Sequence, residues 1–407
     1  MSSFHLSNLL SFGLEPRPML RLRLPQDRDA PVRVRRVQSW RDQYYFTRLP
    51  WLIYENDPYW VPPLLIEVKE FLNPRKHPFY QHGVAAQFLA CQDGCPVGRI
   101  LVSEDPRYNA KHGTKVGCFG MFESIEDPRV AHALFEAAAQ WMRQRGLTHM
   151  MGPIDYSINY PCGLLIEGFQ YPPRIMMNHN PPYYAELCES WGMQKAKDLY
   201  AWWFVKDNEN LRCWMQRVRR FQERSRIKIR PFNLNNFEVE MARCVEVYTV
   251  TRYDQWGFID LTPAELRYFA KRLAQFARPD LVLVAEDNGK AVGFSITVPD
   301  LNEAIRPLNG RLTSWGMPIG AVRLFQRLKQ VKTARVMVLG VVPGYRHRGI
   351  AELMILQTIE RGVRDAGFDS AELSWTLEDN HAINNTIQAV GGKLYKRYRI
   401  YEKYIAE

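Results

Sequence analysis

Residues 336–351 (VMVLGVVPGYRHRGIA) constrain the fold of this 407-residue chain more than any other stretch. They begin with an apolar run rich in valine, which is typical of a strand buried on both faces. A tight turn follows, and beyond it apolar residues recur at steps of three and four until Gly367, as in an amphipathic helix that ends at a glycine. The order strand, turn, helix predicts a unit of an α/β fold, with the turn as a candidate ligand site.

The turn itself carries the pattern Arg-x-x-Gly-x-Ala, which is chemically suited to a pyrophosphate. Backbone N–H groups at a helix start converge on an anion, and the helix dipole adds partial positive charge. Gly349 and Ala351 are small enough to let the ligand approach the backbone, and Arg346 and Arg348 supply fixed charge. The pattern is neither a Walker loop nor a Gly-x-Gly-x-x-Gly dinucleotide fingerprint. The sequence therefore predicts a phosphate-binding loop of another type.

This loop resembles the acyl-CoA-binding loop of the GCN5-related N-acetyltransferase (GNAT) superfamily, in which Arg/Gln-x-x-Gly-x-Gly/Ala joins a strand to a helix. The elements predicted next follow the order of that family: a strand at 370–376, a helix opening near Asn380, a glycine pair and a closing strand at 394–404. The resemblance implies acyl-CoA as co-substrate. Its implied contacts in this sequence are Leu339, Val341, Val342, Arg346, His347, Arg348, Gly349, Ile350, Ala351 and Asn380.

The two halves of the chain repeat one order of predicted elements, and the closing strand of each follows a glycine, Gly192 or Gly392. The predicted fold class is α/β (α+β layered), with two tandem GNAT-like domains, each a mixed, mostly antiparallel sheet flanked by helices. The loop at 124–129 of the first half is acidic and lacks glycine, so it would repel a pyrophosphate. The predicted boundaries are 1–30 for an N-terminal arm, 31–206 for a degenerate GNAT-like domain without the CoA loop, 207–230 for a basic connector and 231–407 for the acyl-CoA-binding domain.

Length and composition agree with a globular protein of two domains. No run of eighteen apolar residues and no export signal are evident in the sequence. The seven cysteines are odd in number, and Cys91 and Cys95 have no second pair at zinc spacing. We therefore expect reduced thiols, a cytoplasmic location and no metal.

The net charge of +11 favours an anionic partner. Basic blocks at 17–36 and 212–230 suit the phosphates of coenzyme A or an anionic membrane surface. Nucleic acid is not an expected partner, because no nucleic-acid-binding fold signature is present. The alternative for both blocks is a solvated helix face that keeps the protein soluble.

The second half lacks two acid/base residues that the GNAT resemblance leads one to expect. No glutamate occurs between 336 and 342, and the position seven residues after Asn380 is Ile387, where many members have a tyrosine. The candidate replacements are Asp300, Asn302, Glu378 and Glu123. An Asx turn or a helix cap is the alternative for the segments around 300 and 378.

Two polar, aromatic loops at 152–160 and 178–184 are predicted to shape the pocket for the acceptor amine. Their candidate substrate-binding residues are Asn159, Tyr160, Asn180, Tyr183 and Tyr184. The segment 311–333 adds a basic amphipathic pattern, which is typical of a helix at a lipid interface and favours a hydrophobic substrate. The alternative for this segment is a helix packed over the sheet.

Residues 35–405 also resemble a group of long bacterial tandem acyltransferases that includes bacterial ceramide synthases. The shared features are the segments 119–123, 152–153, 299–302 and 398–401. The resemblance implies an acyl-CoA-dependent N-acyltransferase that moves a long-chain acyl group to a sphingoid base, at the cytoplasmic face of the inner membrane. Two alternatives stay open: a small-molecule or peptide N-acetyltransferase that uses acetyl-CoA, and a non-catalytic acyl-CoA-binding protein.

Overall fold

The computed structural model describes residues 22–253, 255–313 and 317–406, and one mixed sheet of thirteen strands forms its centre. Residues 1–21 of the predicted N-terminal arm and residues 314–316 of the predicted amphipathic segment lie outside the described residues. The strands are β1 (Arg33–Arg36), β2 (Val84–Gln92), β3 (Cys95–Glu104), β4 (Val116–Ser124), β5 (His149–Gly152), β6 (Leu164–Glu167), β7 (Gln194–Val205), β8 (Lys228–Pro231), β9 (Val282–Asp287), β10 (Lys290–Pro299), β11 (Thr333–Val341), β12 (Ser370–Leu377) and β13 (Lys393–Tyr404).

Helices flank this sheet on both faces. They are α1 (Trp40–Arg48), α2 (Pro50–Ile53), α3 (Leu65–Phe71), α4 (Pro106–His112), α5 (Pro128–Arg143), α6 (Tyr184–Ser190), α7 (Glu209–Gln222), α8 (Phe237–Arg252), α9 (Pro263–Leu273), α10 (Leu301–Ile305), α11 (Ile319–Leu328), α12 (Ile350–Arg364) and α13 (His381–Ala389).

The strand order is β1-β2-β3-β4-β5-β13-β7-β12-β11-β10-β9-β8, with β6 beside β13. Most neighbours are antiparallel, and the parallel pairs β4/β5 and β11/β12 occupy equivalent places in the two halves. The sheet is therefore mixed and mostly antiparallel, and helices cover it in layers. The predicted fold class is confirmed.

The closing strands of the two halves are exchanged at the centre of the sheet. β7 ends the first half but lies between β12 and β13 of the second, while β13 lies between β7 and β5 of the first half. β7 and β13 are antiparallel, with Lys393 opposite Trp203 and Glu402 opposite Gln194. Each half therefore completes the sheet of the other.

Equivalent helices follow β4 and β11. In the first half, α5 buries Val130, Leu134 and Phe135 at the three- and four-residue spacing of an amphipathic helix, against β2 and β3. In the second half, α12 buries Ile350 and Met354 against the sheet in the same way. These packed faces orient the start of each helix toward the carboxyl end of the strand before it.

Candidate active site

An opening in the described part of the chain lies between β11 and β12. These strands run parallel from the pair Thr333/Ser370 to the pair Val336/Leu373 and then diverge. β11 stays paired with β10, and β12 with β7, so the two strands form a V. A cavity of about 440 Å³ fills the V and extends under α12.

Two bulges mark the apex of this V. Met337 is an extra residue in β11, where the register with β10 shifts between Ile296 and Thr297. Ser374 and Trp375 form an irregularity in β12, where the register with β7 shifts. Because a bulge bends its strand, the two irregularities bend β11 and β12 away from each other. We call the apex at Met337 and Ser374 the fork.

Backbone donors on β11 face the opening beyond the fork. The N–H of Val342 donates to the carbonyl oxygen of Val292 at 2.9 Å and is therefore used within the sheet. Because N–H groups alternate in direction along an antiparallel strand, those of Leu339 and Val341 point to the other side, where β12 has already diverged. The arrangement leaves two donors directed at the cavity.

The predicted phosphate-binding loop lies at the mouth of the cavity. Gly349 has a left-handed φ of 66°, and no side chain caps α12, so the N–H groups of its first turn are open to a ligand. A Cβ at Gly349 would meet the ring of Phe221 at 2.5 Å, so both backbone conformation and space require glycine. Arg346, His347 and Arg348 are exposed around this helix start.

On the side of the fork where β11 and β12 are paired, the cavity continues under α12 as an apolar channel that α13 also lines. One face of α12 lines it over most of the helix length, from Ala351 to Val363, or about 18 Å at 1.5 Å per residue. The ion pair of Lys206 with Asp369 lies at the far end. The other lining residues of the channel include Ile355, Ile359, Gly362, Val336, Ala371, Leu373, Ile387 and Val390.

The cavity also opens on the opposite face of the sheet, beside the end of α8. Thr251, Arg252 and Gln255 line it there, together with Trp375 from the fork. The guanidinium of Arg252 lies 6.0 Å from the centre of the Trp375 ring. The site is therefore accessible to one ligand from the side of α12 and to a second from the side of α8.

Asp300 and Asn302, which the sequence suggested as acid/base candidates, join the two halves and do not line the cavity. Asp300 is fully buried, and its carboxylate accepts hydrogen bonds from Arg174 at 3.0 Å and from the N–H of Ile175 at 2.8 Å. Burial raises the pKa of Asp300 to about 6, against the opposing effect of Arg174. The Asn302 amide donates to the carbonyl oxygen of Pro173 at 2.8 Å.

Glu378 is near the site and Glu123 is far from it, and neither lines the cavity. Glu378 forms an ion pair with Lys195 at 2.6 Å on the side of β7. Glu123 is buried in the first half, where burial raises its pKa. Its carboxylate accepts hydrogen bonds from the hydroxyls of Tyr54 and Tyr184, both at 2.8 Å. Among the other predicted contacts, Asn380 lines the cavity and caps α13.

The predicted acceptor-binding residues are hydrogen-bonded within the fold, outside the cavity. Asn159 joins the two halves: its amide donates to the carbonyl oxygen of Ile259 and accepts from the Tyr248 hydroxyl, both at 2.9 Å. Asn180 holds β6 through the N–H and the carbonyl of Leu165. The hydroxyls of Tyr160, Tyr183 and Tyr184 donate to Glu265, to the carbonyl of Ser124 and to Glu123 respectively.

A buried polar group at the fork was not among the residues suggested by the sequence. Ser374 lines the cavity, and its hydroxyl is bonded to Glu372 and to Arg335. The available signal in the sequence is one charged residue in each of two otherwise uncharged strands, Arg335 in β11 and Glu372 in β12. This signal does not identify the site by itself, because Arg335, Glu372 and Ser374 come together only when β11 and β12 pair.

Comparisons with known proteins agree with this geometry. The model of the Acetyltransferase (GNAT) family matches residues 246–391, which include the fork, the loop and α12. Protein YghO of Escherichia coli (strain K12) is 36% identical over 378 residues, covering 91% of this chain and 95% of the relative. This chain belongs to the GNAT family. A bacterial ceramide synthase of Caulobacter vibrioides is 35% identical over 364 residues, covering 88% of this chain and 94% of the relative.

Solved GNAT structures extend the likeness to both halves. A tandem GNAT protein from the clavulanic acid biosynthesis pathway has a TM-score of 0.54 at 13% identity, over 92% of this chain and 99% of that one. A GNAT from Sphaerobacter thermophilus has a TM-score of 0.51 at 14% identity, over 92% and 96%. The prediction of a tandem GNAT is confirmed, and so is that of an N-acyltransferase. As in the family, acyl-CoA is the co-substrate and an amine the acceptor. Within the described residues, no helix is long and apolar enough to cross a membrane.

Proposed function

We propose that this GNAT transfers a long-chain acyl group from coenzyme A to the primary amine of a sphingoid base, forming a ceramide-type amide. The observation that supports this proposal is the apolar channel under α12. A long acyl chain would bury its methylene groups there, at a gain of about 0.8 kcal/mol for each. An acetyl group would leave the channel without an apolar occupant. The 35% identity to a protein named bacterial ceramide synthase supports the same function.

The proposed acyl-CoA site follows β11 from the loop back to the fork. The pyrophosphate would bind the N–H groups at the start of α12, with Arg346, His347 and Arg348 around it. The pantetheine would lie along Leu339 and Val341, whose N–H groups face the opening. In this proposed order, the thioester would lie at the fork and the acyl chain in the channel.

The acceptor would approach from the side of α8, where Thr251, Gln255 and Trp375 line the cavity. Its amine nitrogen attacks the thioester carbonyl carbon, a C–N bond forms, and the carbonyl oxygen becomes an oxyanion. Backbone N–H groups that are already oriented stabilise such an oxyanion without reorganisation. The N–H of Leu339, two residues from Met337 at the fork, is the candidate. The C–S bond then breaks, and the CoA thiolate takes up one proton.

A membrane surface is the proposed source of both lipid substrates. Helix α11 exposes Val322, and the adjacent Met317 is also 54% exposed. Arg323 and Lys329 are exposed on the same segment, which combines apolar contact with attraction to anionic lipid. We expect the protein to sediment with phosphatidylglycerol vesicles and to stay in solution with phosphatidylcholine vesicles. Equal sedimentation with both would contradict an electrostatic contribution.

The function is tested by incubating the protein with acetyl-CoA or palmitoyl-CoA, each with and without 3-oxosphinganine or sphinganine, and following thiol release. The expected result is release that needs both palmitoyl-CoA and a sphingoid base. Release only with acetyl-CoA and polar amines would replace this function by small-molecule N-acetylation. Tight CoA binding without release for any pair would favour a non-catalytic acyl-CoA-binding protein.

A further inference from the structure

A group of buried and half-buried polar side chains, the fork cluster, lies directly behind the apex of the V. It consists of Arg335, Glu372, Ser374 and Tyr395. Glu372 has no exposed surface, and Arg335 and Ser374 are each 4% exposed. Burying an ion pair between two strands costs several kcal/mol unless hydrogen bonds compensate it, and well-packed apolar residues often do as well. Stability alone is therefore a weak reason for this cluster.

The hydrogen bonds of the cluster have only one possible direction. Arg335 cannot accept a hydrogen bond, so its Nε donates to the Ser374 hydroxyl at 3.0 Å. The single hydroxyl hydrogen of Ser374 is then donated to the carboxylate of Glu372. The other carboxylate oxygen of Glu372 accepts from the Tyr395 hydroxyl. A serine hydroxyl has two acceptor positions and Arg335 occupies one, so the second is not used within the cluster, and Ser374 lines the cavity.

The titratable groups that line the cavity elsewhere are poorly placed for chemistry at the fork. Glu352 belongs to the first turn of α12, beside the phosphate-binding loop. Asp369 lies at the far end of the channel and is paired with Lys206. The position that holds a tyrosine in many GNAT proteins is Ile387, which has no proton to transfer.

We propose that Ser374 and Glu372 form the proton relay of this enzyme. As the C–N bond forms, the amine proton passes to the Ser374 oxygen while the Ser374 hydrogen passes to Glu372. When the C–S bond breaks, the same proton returns through Ser374 to the CoA sulfur. A neutral amine and a thioester thus become an amide and a thiol, and the relay is restored. The proposal rests on the acyl transfer described above, but not on the identity of the amine.

Polar and charged groups face Glu372 from five parts of the fold. Arg335 faces it from β11, and Ser374 is on its own strand, β12. Arg174 and Asp300 approach it from the segment before β7 and from the end of β10. Tyr395, Lys396 and Tyr398 face it from β13. Because the closing strand of the whole chain completes this environment, the relay requires the full chain.

The test compares Ser374→Ala, Ser374→Thr and Glu372→Gln with the wild type in the full chain. For the amine and acyl-CoA that the wild type uses best, we expect Ser374→Ala to lower kcat by about 10²–10⁴-fold. The affinity for acyl-CoA should stay within about twofold, because the loop is untouched. Ser374→Thr should restore most of the rate. Glu372→Gln should also lower kcat, because an amide cannot take up the proton of Ser374.

Thr333→Ala is the matched control, because it removes a strand hydroxyl close to Arg335 but outside the cavity. If Glu372→Gln does not fold, the kcat of Ser374→Ala by itself tests the relay. An active wild type whose kcat is unchanged by Ser374→Ala would overturn the relay and leave the proposed function intact. An active wild type that uses only another amine, with kcat lost in Ser374→Ala, would overturn the sphingoid-base proposal and support the relay. A wild type that binds palmitoyl-CoA but releases no thiol with any amine would overturn both.

Discussion

The two halves of this protein share one framework and differ at the two places where an acyl-CoA would bind. In the first half, the Asp127 side chain caps α5 by accepting from the N–H of Arg129 at 2.9 Å, and Pro128 occupies the first helical position. In the second half, α12 begins after Gly349 without a side-chain cap. A carboxylate thus caps the helix start of one half, and the helix start of the other half has no side-chain cap.

The strands before these helices, β4 and β11, also differ in whether a carboxylate occupies the backbone N–H groups near the bulge. At the bulge of β4, the carboxylate of Asp155 accepts from the N–H of Met121 at 2.8 Å, and the N–H of Ile154 donates to the carbonyl of Phe119 at 2.6 Å. In the first half, the segment directly after β5 therefore occupies the place that corresponds to the fork. The fork of the second half opens into the cavity. The comparison supports the expectation that the first half binds no acyl-CoA. In the first half, the carboxylates of Asp127 and Asp155 occupy these two places within the same framework.

The largest effect is expected from Gly349→Asp, which gives the second half the acidic helix start of the first. An aspartate there would repel the pyrophosphate, strain a left-handed backbone and collide with Phe221. We expect the dissociation constant for acyl-CoA to rise by at least about 100-fold, or roughly 2.7 kcal/mol. Isothermal titration calorimetry measures it, and Asp127→Asn in the first half is the matched control, with affinity unchanged. Affinity retained in Gly349→Asp would show that the loop is not the anion site.

A smaller and chain-length-dependent effect is expected from Gly362→Leu in α12. A Cβ at this position meets only Phe368, at 3.7 Å, so the backbone tolerates a side chain and a longer one enters the channel. We expect kcat/KM for palmitoyl-CoA to fall by about 10–100-fold, the range that a steric change in an apolar pocket supports. The value for a short-chain acyl-CoA should change little. Gly362→Ala is the control and should stabilise the helix by roughly 0.5–1 kcal/mol. An equal loss for both chain lengths would argue against the channel as the acyl site.

The smallest effect on function is expected from a change at Asp155, beside the bulge of β4, which should alter only the stability of the fold. Burial raises the pKa of Asp155 from 3.8 to about 7. Because the folded state binds the proton more tightly, the stability contributed by this group is full below about pH 4 and is lost as pH rises through about 7. We expect Asp155→Asn to abolish a difference on the order of 1–3 kcal/mol between the free energies of unfolding at pH 5 and pH 8. Urea unfolding at both pH values measures it. An identical pH dependence in wild type and variant would mean that Asp155 is ionised in the folded protein.

Side chains that depend on one local segment were predicted well, and those that depend on distant partners were not. Counting seven residues from Asn380 predicts that Ile387 stands where many GNAT proteins have a tyrosine, and Ile387 does line the channel. Asp300, in contrast, follows a strand in a polar turn, which suggested access to the cleft. It is buried because Arg174 and Ile175, from the first half, pack against it. No residue near Asp300 in the sequence indicates that contact, because both partners are at least 125 residues away.

The sequence by itself determined the fold class, the repeat of two halves and the strand–turn–helix segment around Gly349. These are local properties, since strand period, helix period and a left-handed glycine such as Gly349 are encoded within about fifteen neighbouring residues. Only the tertiary structure decided the exchange of β7 and β13, the filled fork of the first half and the meeting of Arg335, Glu372 and Ser374 at the open fork. The physical reason is that strand pairing joins residues far apart in sequence, and no local pattern specifies which strand will lie opposite which.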